Sequence, residues 1–150
     1  MQKNHQDFNY NPFIDSRLEI HPVPEINGWG VFTTQSINEN TIVEIAPIIV
    51  YPKNVMEMTI WTCRAEGMSD NDLKLDQYTV NWQNDGGLPL GWAGLYNHKD
   101  DNNCQFIAYY QLNLIGIQTI KPISAGEQLF VSYGEHWFNA KSGYIKKYPF

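Results

Sequence analysis

The sequence predicts a single, mostly β domain built from many short strands, with one small helical insert. Apolar and β-branched residues come in short alternating runs, and turns rich in Gly and Pro separate these runs. A length of 150 residues suits one domain with its own core. Aromatic residues make up 14% of the chain, and flat side chains suit a β-rich core or the walls of a ligand pocket.

The N-terminal part divides into an arm and the start of the domain. Residues 1–16 are rich in Asn with scattered aromatics, which predicts an arm that docks onto a domain of residues 17–150. Leu18 and Ile20 alternate with polar residues and predict a short strand. We expect this strand to be stopped by Pro22 and Pro24, which cannot donate a ladder hydrogen bond.

The middle of the chain predicts further strands and the helix. Residues 41–51 form a β-branched run, and we expect Pro47 to split it into two strands. Residues 52–66 predict a helix that opens an insert of about residues 53–92. The apolar residues at helical spacing are Val55, Met58 and Trp61.

The C-terminal half predicts a meander of strands. Residues 84–87, Asn-Asp-Gly-Gly, predict a hairpin turn. Residues 106–110 and 112–118 predict paired strands, and residues 128–133 predict a final strand before a tail of residues 135–150.

Charge and composition limit the class of protein. A formal net charge of −6 disfavours broad nucleic-acid binding but permits a basic partner, and it is also ordinary for a soluble protein. Cys63 and Cys104 are too few for a disulfide scaffold or a four-cysteine zinc site. The N-terminus has no apolar signal segment and no run approaches ~20 apolar residues, so we expect an intracellular protein that does not enter a membrane.

The most polar stretch, residues 94–104, invites a metal site. Its candidate ligands are Asn97, His98, Asp100, Asp101 and Cys104. They mix hard and soft donors without tetrahedral spacing, so we expect no metal there. Equally, a Gly-x-Gly triplet at residues 28–30 does not extend to a dinucleotide-binding fingerprint and predicts only a turn by itself.

Three stretches read in order resemble the SET-domain protein lysine methyltransferases. They are Gly28-Trp29-Gly30-Val31-Phe32, then Leu95-Tyr96-Asn97-His98 with Asn103-Cys104, and finally Gly126-Glu127-Gln128-Leu129 with Tyr133-Gly134. The resemblance spans about residues 18–138. Lys99 stands where the family has Ser, and Asn102 stands where it has Pro.

The resemblance implies a β-clip-like fold of short sheets with a helical insert and a C-terminal pseudoknot. It also implies S-adenosylmethionine as the methyl donor. Glycines allow close backbone approach to such a ligand, and an Asn amide can hold its amino-acid end. The implied donor-binding residues are Gly28, Trp29, Gly30, Tyr96, Asn97, His98 and Trp137. The chain lacks the zinc-binding cysteines with which many members complete the channel, so the resemblance implies that its tail does so by packing. A stand-alone domain of this size looks like a bacterial or viral member.

Tyr133 is the catalytic residue that the resemblance implies. Its phenol oxygen would orient the methyl group and the attacking amine. The acceptor lysine must be neutral, and an apolar channel lowers its pKa from about 10.4. The implied channel residues are Phe106, Tyr109, Val131 and Phe138. A Phe at position 106 implies room for di- or trimethylation.

These residues lead to a protein-lysine N-methyltransferase as the first hypothesis. Its partner would be a protein or peptide with an accessible lysine, such as a basic, histone-like tail, and we expect neither nucleic-acid nor membrane binding. We expect a cytoplasmic protein, or a host-cell one if it is viral or an effector. Because Lys99 and Asn102 depart from the family, the alternatives are a catalytically inactive module that binds the donor or a basic peptide, and a protein that keeps only the fold.

Overall fold

Ten strands and one α-helix occur within residues 11–68 and 78–134, the parts of the chain that the computed structural model describes. Three 3-10 turns, Pro24–Ile26, Ala93–Leu95 and Tyr110–Leu112, connect them. The elements are β1 (Phe13–Ile14), β2 (Leu18–Val23), β3 (Gly28–Thr33), β4 (Ile42–Tyr51), α1 (Lys53–Ala65), β5 (Val80–Trp82), β6 (Asp85–Pro89), β7 (Asn97–His98), β8 (Cys104–Tyr109), β9 (Leu114–Thr119) and β10 (Gln128–Val131).

The larger sheet is built around the long strand β4. Its order is β5-β6-β4-β9-β8, and β1 also pairs with β4. Phe13 lies opposite Ile45, so residues near the end of the predicted arm pair with this sheet. The predicted break at Pro47 was wrong. Pro47 lies where β4 changes its partner strand from β9 to β6, so the N–H that proline lacks removes no hydrogen bond from either ladder. The Pro47 carbonyl still accepts a hydrogen bond from the N–H of Leu90 at 2.9 Å.

The smaller sheet places the last strand between earlier ones. Its order is β2-β3-β10-β7, with β10 antiparallel to β3 and parallel to β7. This insertion is the part of the expected pseudoknot that falls within the described residues. β2 ends at Val23, directly before Pro24 as expected. Pro22 does not stop it, because β2 is an edge strand, where a residue without an N–H is tolerated.

Two buried clusters form the core. The first includes Val31, Val43 and Leu129 and contains residues of both sheets, and the second includes Ile48 and Trp82. Phe106 packs against both clusters. The strand that carries Phe106 therefore lies at the boundary between the two parts of the core.

Helix α1 confirms the predicted helix but not the burial of its apolar positions. None of its residues is buried, and Trp61 is 74% exposed. Met58 and Val55 are exposed as well. Within the described part of the chain, no helix is both long and apolar enough to span a bilayer.

The predicted hairpin forms, but its turn lies two residues before the centre of the Asn-Asp-Gly-Gly stretch. Residues 83–84 form the turn between β5 and β6, and Gln83 adopts a positive φ of 56°. Gly86 and Gly87 lie inside β6 instead. Added Cβ atoms there would collide with the rings or methyl groups of Tyr51 and Ile48, so close packing explains both glycines.

Candidate active site

The polar loop of residues 99–103 is fastened to β10 at both ends. At its start, the Lys99 N–H donates to the carbonyl of Val131 at 3.1 Å. At its end, the Asn103 side chain donates to the carbonyl of Gln128 at 3.0 Å and accepts the N–H of Phe130 at 2.8 Å. These bonds supplement the two-residue strand β7, so Asn97 and its successor are held firmly beside β10.

Asn97 is 5% exposed and has a defined amide orientation. Its Nδ2 donates to the carbonyl of Trp29 and to Oε1 of Gln128, both at 3.0 Å. Both amide hydrogens are therefore engaged, and Oδ1 is left as an acceptor without a bond to the described residues. An acceptor in this place fits the α-ammonium of an amino-acid ligand such as S-adenosylmethionine.

The two glycines of β3 have different surroundings. A Cβ on Gly30 would lie 2.9 Å from Cγ2 of Val23 and 3.0 Å from Oε1 of Gln128. A Cβ on Gly28 would meet only Ile26, at 3.4 Å. Gly30 thus allows Gln128 to approach the backbone and to hold Asn97, a role of Gln128 that we did not predict from the sequence.

Tyr133 is held at its backbone and at its hydroxyl. Its N–H donates to Nδ1 of His98 at 3.0 Å, and its Oη donates to the carbonyl of Tyr96 at 2.7 Å. Because Nδ1 of His98 accepts, the ring proton sits on Nε2, which donates to Oδ1 of Asp100 at 3.0 Å. The imidazole is engaged at both nitrogens, which suits a positioning role rather than that of a base.

A cavity of about 420 Å³, here called the aromatic cavity, opens beside Tyr133. The aromatic side chains that line it are Tyr96, Phe106, Tyr133, Trp82 and Tyr110. The rings of the last two are packed edge to face, with their centres 4.8 Å apart. None of the described residues that line the cavity carries a charge. An amine that enters it therefore loses hydration without gaining an ion-pair partner from these residues.

Two of the predicted channel residues lie away from the aromatic cavity. Phe106 and Tyr110 line the aromatic cavity, but Tyr109 is on the opposite face of β8, where its ring lies over Gly116. Val131 is fully buried in the first core cluster and is not among the described lining residues. The other two predicted aromatics, Trp137 and Phe138, lie outside the described residues.

Tyr96 lies at the cavity and not only beside the donor-binding residues. It is 1% exposed, lines the aromatic cavity, and its hydroxyl donates to Oε2 of Glu44 at 2.8 Å. Oε1 of Glu44 accepts the N–H of Trp92 at 2.8 Å. Burial raises the pKa of the Glu44 carboxyl, and the hydrogen bonds from Tyr96 and the backbone oppose this rise. Nothing in the sequence distinguishes Glu44 beyond its place as one acidic residue in a β-branched run.

The other polar groups of the loop are engaged away from the cavity. Lys121 forms an ion pair with Asp101, and burial raises the pKa of the Cys104 thiol to about 12. The two departures from the family pattern also make structural contacts. Nζ of Lys99 lies 5.2 Å from the centre of the Phe130 ring, and Asn102 donates to the carbonyl of Cys104 at 2.8 Å.

Comparisons with known proteins agree with this geometry. The model of the SET domain family matches residues 28–134. A relative from Schizosaccharomyces pombe, the histone-lysine N-methyltransferase specific for H3 lysine-37, is 32% identical over 137 residues, which are 85% of this chain and 80% of the relative. The crystal structure of a Plasmodium falciparum protein described as a histone methyltransferase aligns with a TM-score of 0.57 and 26% identity, covering 83% of this chain and 99% of that one.

Both relatives are eukaryotic proteins, which gives the expected bacterial or viral type no support. The family match covers most of the chain and includes all three motifs together with Tyr133. The chain belongs to the SET domain family of protein-lysine methyltransferases, which use S-adenosylmethionine as the methyl donor.

Proposed function

We propose that this chain methylates a lysine in a basic, histone-like protein tail, with Tyr133 as its catalytic residue. The observation that carries the proposal is the place of the Tyr133 hydroxyl beside the aromatic cavity, fixed at 2.7 Å from the Tyr96 carbonyl. S-Adenosylmethionine supplies the methyl group from its sulfonium. The protein groups have to align the acceptor amine with that methyl and keep the amine neutral.

We assign donor binding to the backbone of residues 28–30 and to Asn97 and His98. Support for Asn97 comes from its two engaged amide hydrogens, which leave Oδ1 to accept from the α-ammonium of the donor. Support for His98 is that its side chain holds the backbone of Tyr133, so its main chain is kept beside the catalytic residue. Glycines at 28 and 30 permit close approach of the backbone to the ligand.

Tyr133 is suited to orient the amine rather than to deprotonate it. Its hydroxyl hydrogen donates to the carbonyl of Tyr96, so toward an amine this hydroxyl acts as an acceptor. An amine N–H that donates to this oxygen would have its own lone pair directed elsewhere, toward the methyl group. This arrangement supplies alignment, which is the main contribution that an in-line transfer needs.

The aromatic cavity suits a lysine side chain and its methylated products. A free lysine amine has a pKa of about 10.4, and an environment without charges disfavours the ammonium form. The rings of Phe106 and Tyr133 can also face a methylated ammonium favourably. We therefore assign the substrate channel to Tyr96, Phe106, Tyr110 and Tyr133.

A basic tail is the substrate class that we favour. The formal net charge of −6 attracts a positively charged peptide, and the Schizosaccharomyces pombe relative is specific for a lysine of histone H3. We accordingly place the activity inside the cell, where histone-like proteins are found.

An inactive binding module is the second candidate. It rests on the departures at Lys99 and Asn102, which differ from the family pattern. Their side chains contact Phe130 and the carbonyl of Cys104, and neither lines the aromatic cavity. The departures therefore leave the surroundings of Tyr133 in place, which favours the enzyme.

Tyr133→Phe tests the enzyme against the binding module. The change removes one hydroxyl, so we expect kcat on a histone panel with labelled donor to fall by on the order of 100-fold or more. Donor affinity by calorimetry should stay within about threefold. Tyr51→Phe, which removes a hydroxyl away from the cavity, is the control and should keep full activity. Donor binding by the wild-type protein without transfer to any protein in the panel would favour the binding module instead.

A further inference from the structure

We propose that Glu44 is a positioning residue for methyl transfer, whose carboxylate holds residues 92–96 so that the Tyr96 carbonyl meets the Tyr133 hydroxyl. The inference rests on the proposed role of Tyr133. It assigns a function to a buried acidic group that neither contacts the aromatic cavity nor belongs to any of the three motifs.

The carboxylate of Glu44 joins both ends of one turn. It is the third residue of β4 and is 0% exposed. Oε1 accepts the N–H of Trp92, which precedes the 3-10 turn Ala93–Leu95, and Oε2 accepts the hydroxyl of Tyr96, which follows it. Each bond is 2.8 Å long. One rigid group therefore determines where the turn begins and where it ends.

The end of this turn is directly connected to the reaction centre. The backbone carbonyl of Tyr96 accepts the Tyr133 hydroxyl at 2.7 Å. The next residue, Asn97, holds the carbonyl of Trp29 and is assigned to the donor. A displacement of Tyr96 would move the hydroxyl that orients the amine and the amide that orients the donor. Displacements of about 1 Å in such groups can cost on the order of 100-fold in rate.

The chain is also built closely around the carboxylate on its other side. Gly91 has a φ of +61°, in the left-handed region that favours glycine. A Cβ on Gly91 would lie 2.7 Å from Oε1 of Glu44. Residues 91–96 thus wrap a single side chain, with a glycine where the backbone comes nearest to it.

Stability alone is a weak reason for a carboxylate in this place. Burial of a charge is costly even when it is hydrogen-bonded, and apolar residues of similar volume often serve a core equally well. The first core cluster already surrounds Tyr96 with aliphatic side chains. A buried acceptor is needed here to fix the direction of a phenol and a backbone N–H, which an apolar group cannot do.

Glu44→Gln is the first test, because it keeps the shape and the acceptor for Trp92 but sets an amide against the Tyr96 hydroxyl. We expect kcat to fall by about 10- to 100-fold while the donor Kd and the peptide KM stay within about threefold. Tyr96→Phe breaks the same contact from the other side and should lower kcat to a similar extent. In the double variant the loss should be close to that of either single variant, since both remove one interaction.

The measurements separate a positioning role from a structural one. Circular dichroism and donor binding first establish that each variant is folded. A folded variant with a lower Tm but an unchanged kcat would overturn the proposal, and so would losses in kcat that simply add in the double variant. If Glu44→Gln does not fold, Tyr96→Phe alone decides, and an unchanged kcat in it overturns the proposal. A wild-type protein that transfers no methyl group would instead overturn the proposed function and this inference with it.

Discussion

Replacing each glycine of β3 with alanine provides a matched pair of variants. Neither glycine has a positive φ, so the two changes differ only in what the new methyl group meets. In Gly30→Ala the methyl lies 2.9 Å from Cγ2 of Val23 and 3.0 Å from Cδ and Oε1 of Gln128. In Gly28→Ala the nearest atom is Cδ1 of Ile26 at 3.4 Å, an ordinary contact.

The loss of stability in Gly30→Ala depends on which neighbouring side chain moves to make room for the methyl group. Val23 is β-branched and has little rotamer freedom, so the Gln128 amide should move instead. Overpacking of this kind costs about 1–3 kcal/mol, which for a chain of this length lowers the Tm by about 2–12 °C. A displaced Gln128 amide no longer accepts from Asn97, and one lost hydrogen bond weakens donor binding roughly 2- to 10-fold.

Thermal unfolding and donor calorimetry on both variants test this reasoning. Gly28→Ala should remain within about 0.5 kcal/mol of wild type in stability, and its donor affinity reports on the backbone approach assigned to residues 28–30. Equal Tm values for the two alanine variants would refute the packing argument. Loss of stability in Gly30→Ala with intact donor affinity would refute only the part that connects Gln128 with Asn97.

Four further predictions concern separate contacts. Asn97→Asp places acceptors where two amide hydrogens now donate, so donor affinity in calorimetry should fall by about tenfold or more. Phe106→Tyr adds a hydroxyl to the aromatic cavity, and mass spectrometry of the products should show fewer methyl groups per lysine. A maleimide should label the half-buried Cys63 and spare Cys104, which is buried and has a pKa of about 12; equal labelling would contradict its burial. The hydrogen bond from Arg17 lowers the pKa of Asp15 below its usual 3.8. The ionised Asp15 therefore stabilises the fold above pH 3.8, and this stabilisation is lost as the pH falls below that value. Asp15→Asn should make the Tm depend less on pH below 3.8.

Local patterns in the sequence predicted which segments form strands or a helix better than they predicted where those segments begin and end. Alternation and turn residues indicated the mostly β domain, and helical spacing indicated α1. Pro22 and Pro47 were both misread as strand ends. Whether a proline ends a strand depends on the partner that its missing N–H would have faced, and the partner is a property of the assembled sheet. At an edge, or where a strand changes partner, that N–H has no ladder bond to lose.

The motifs indicated which segments meet at the candidate site. Which side chains line the cavity depends on their burial and on the face of the strand from which each projects. His98 contacts the backbone of Tyr133, and Asn97 pairs with β10, the strand that leads to Tyr133. Tyr109 lies off the cavity that its neighbour Tyr110 lines, because a shift of one residue exchanges the faces of a strand. Glu44 and Gln128 were missed since each acts through partners far away in sequence, and only the folded chain brings those partners close.

The structure also explains how a strand of only two residues can organise the whole site. Residues 96–98 provide three successive functions: the carbonyl that holds the Tyr133 hydroxyl, the amide assigned to the donor, and the imidazole that holds the Tyr133 backbone. The position of so short a segment is fixed by its neighbours. β10 pairs with it on one side, and the buried carboxylate of Glu44 accepts hydrogen bonds from both ends of the turn that precedes it. On the proposed assignment, one short segment aligns the methyl donor with the acceptor lysine, and the precision of that alignment depends on Glu44 and β10, which hold this segment in place.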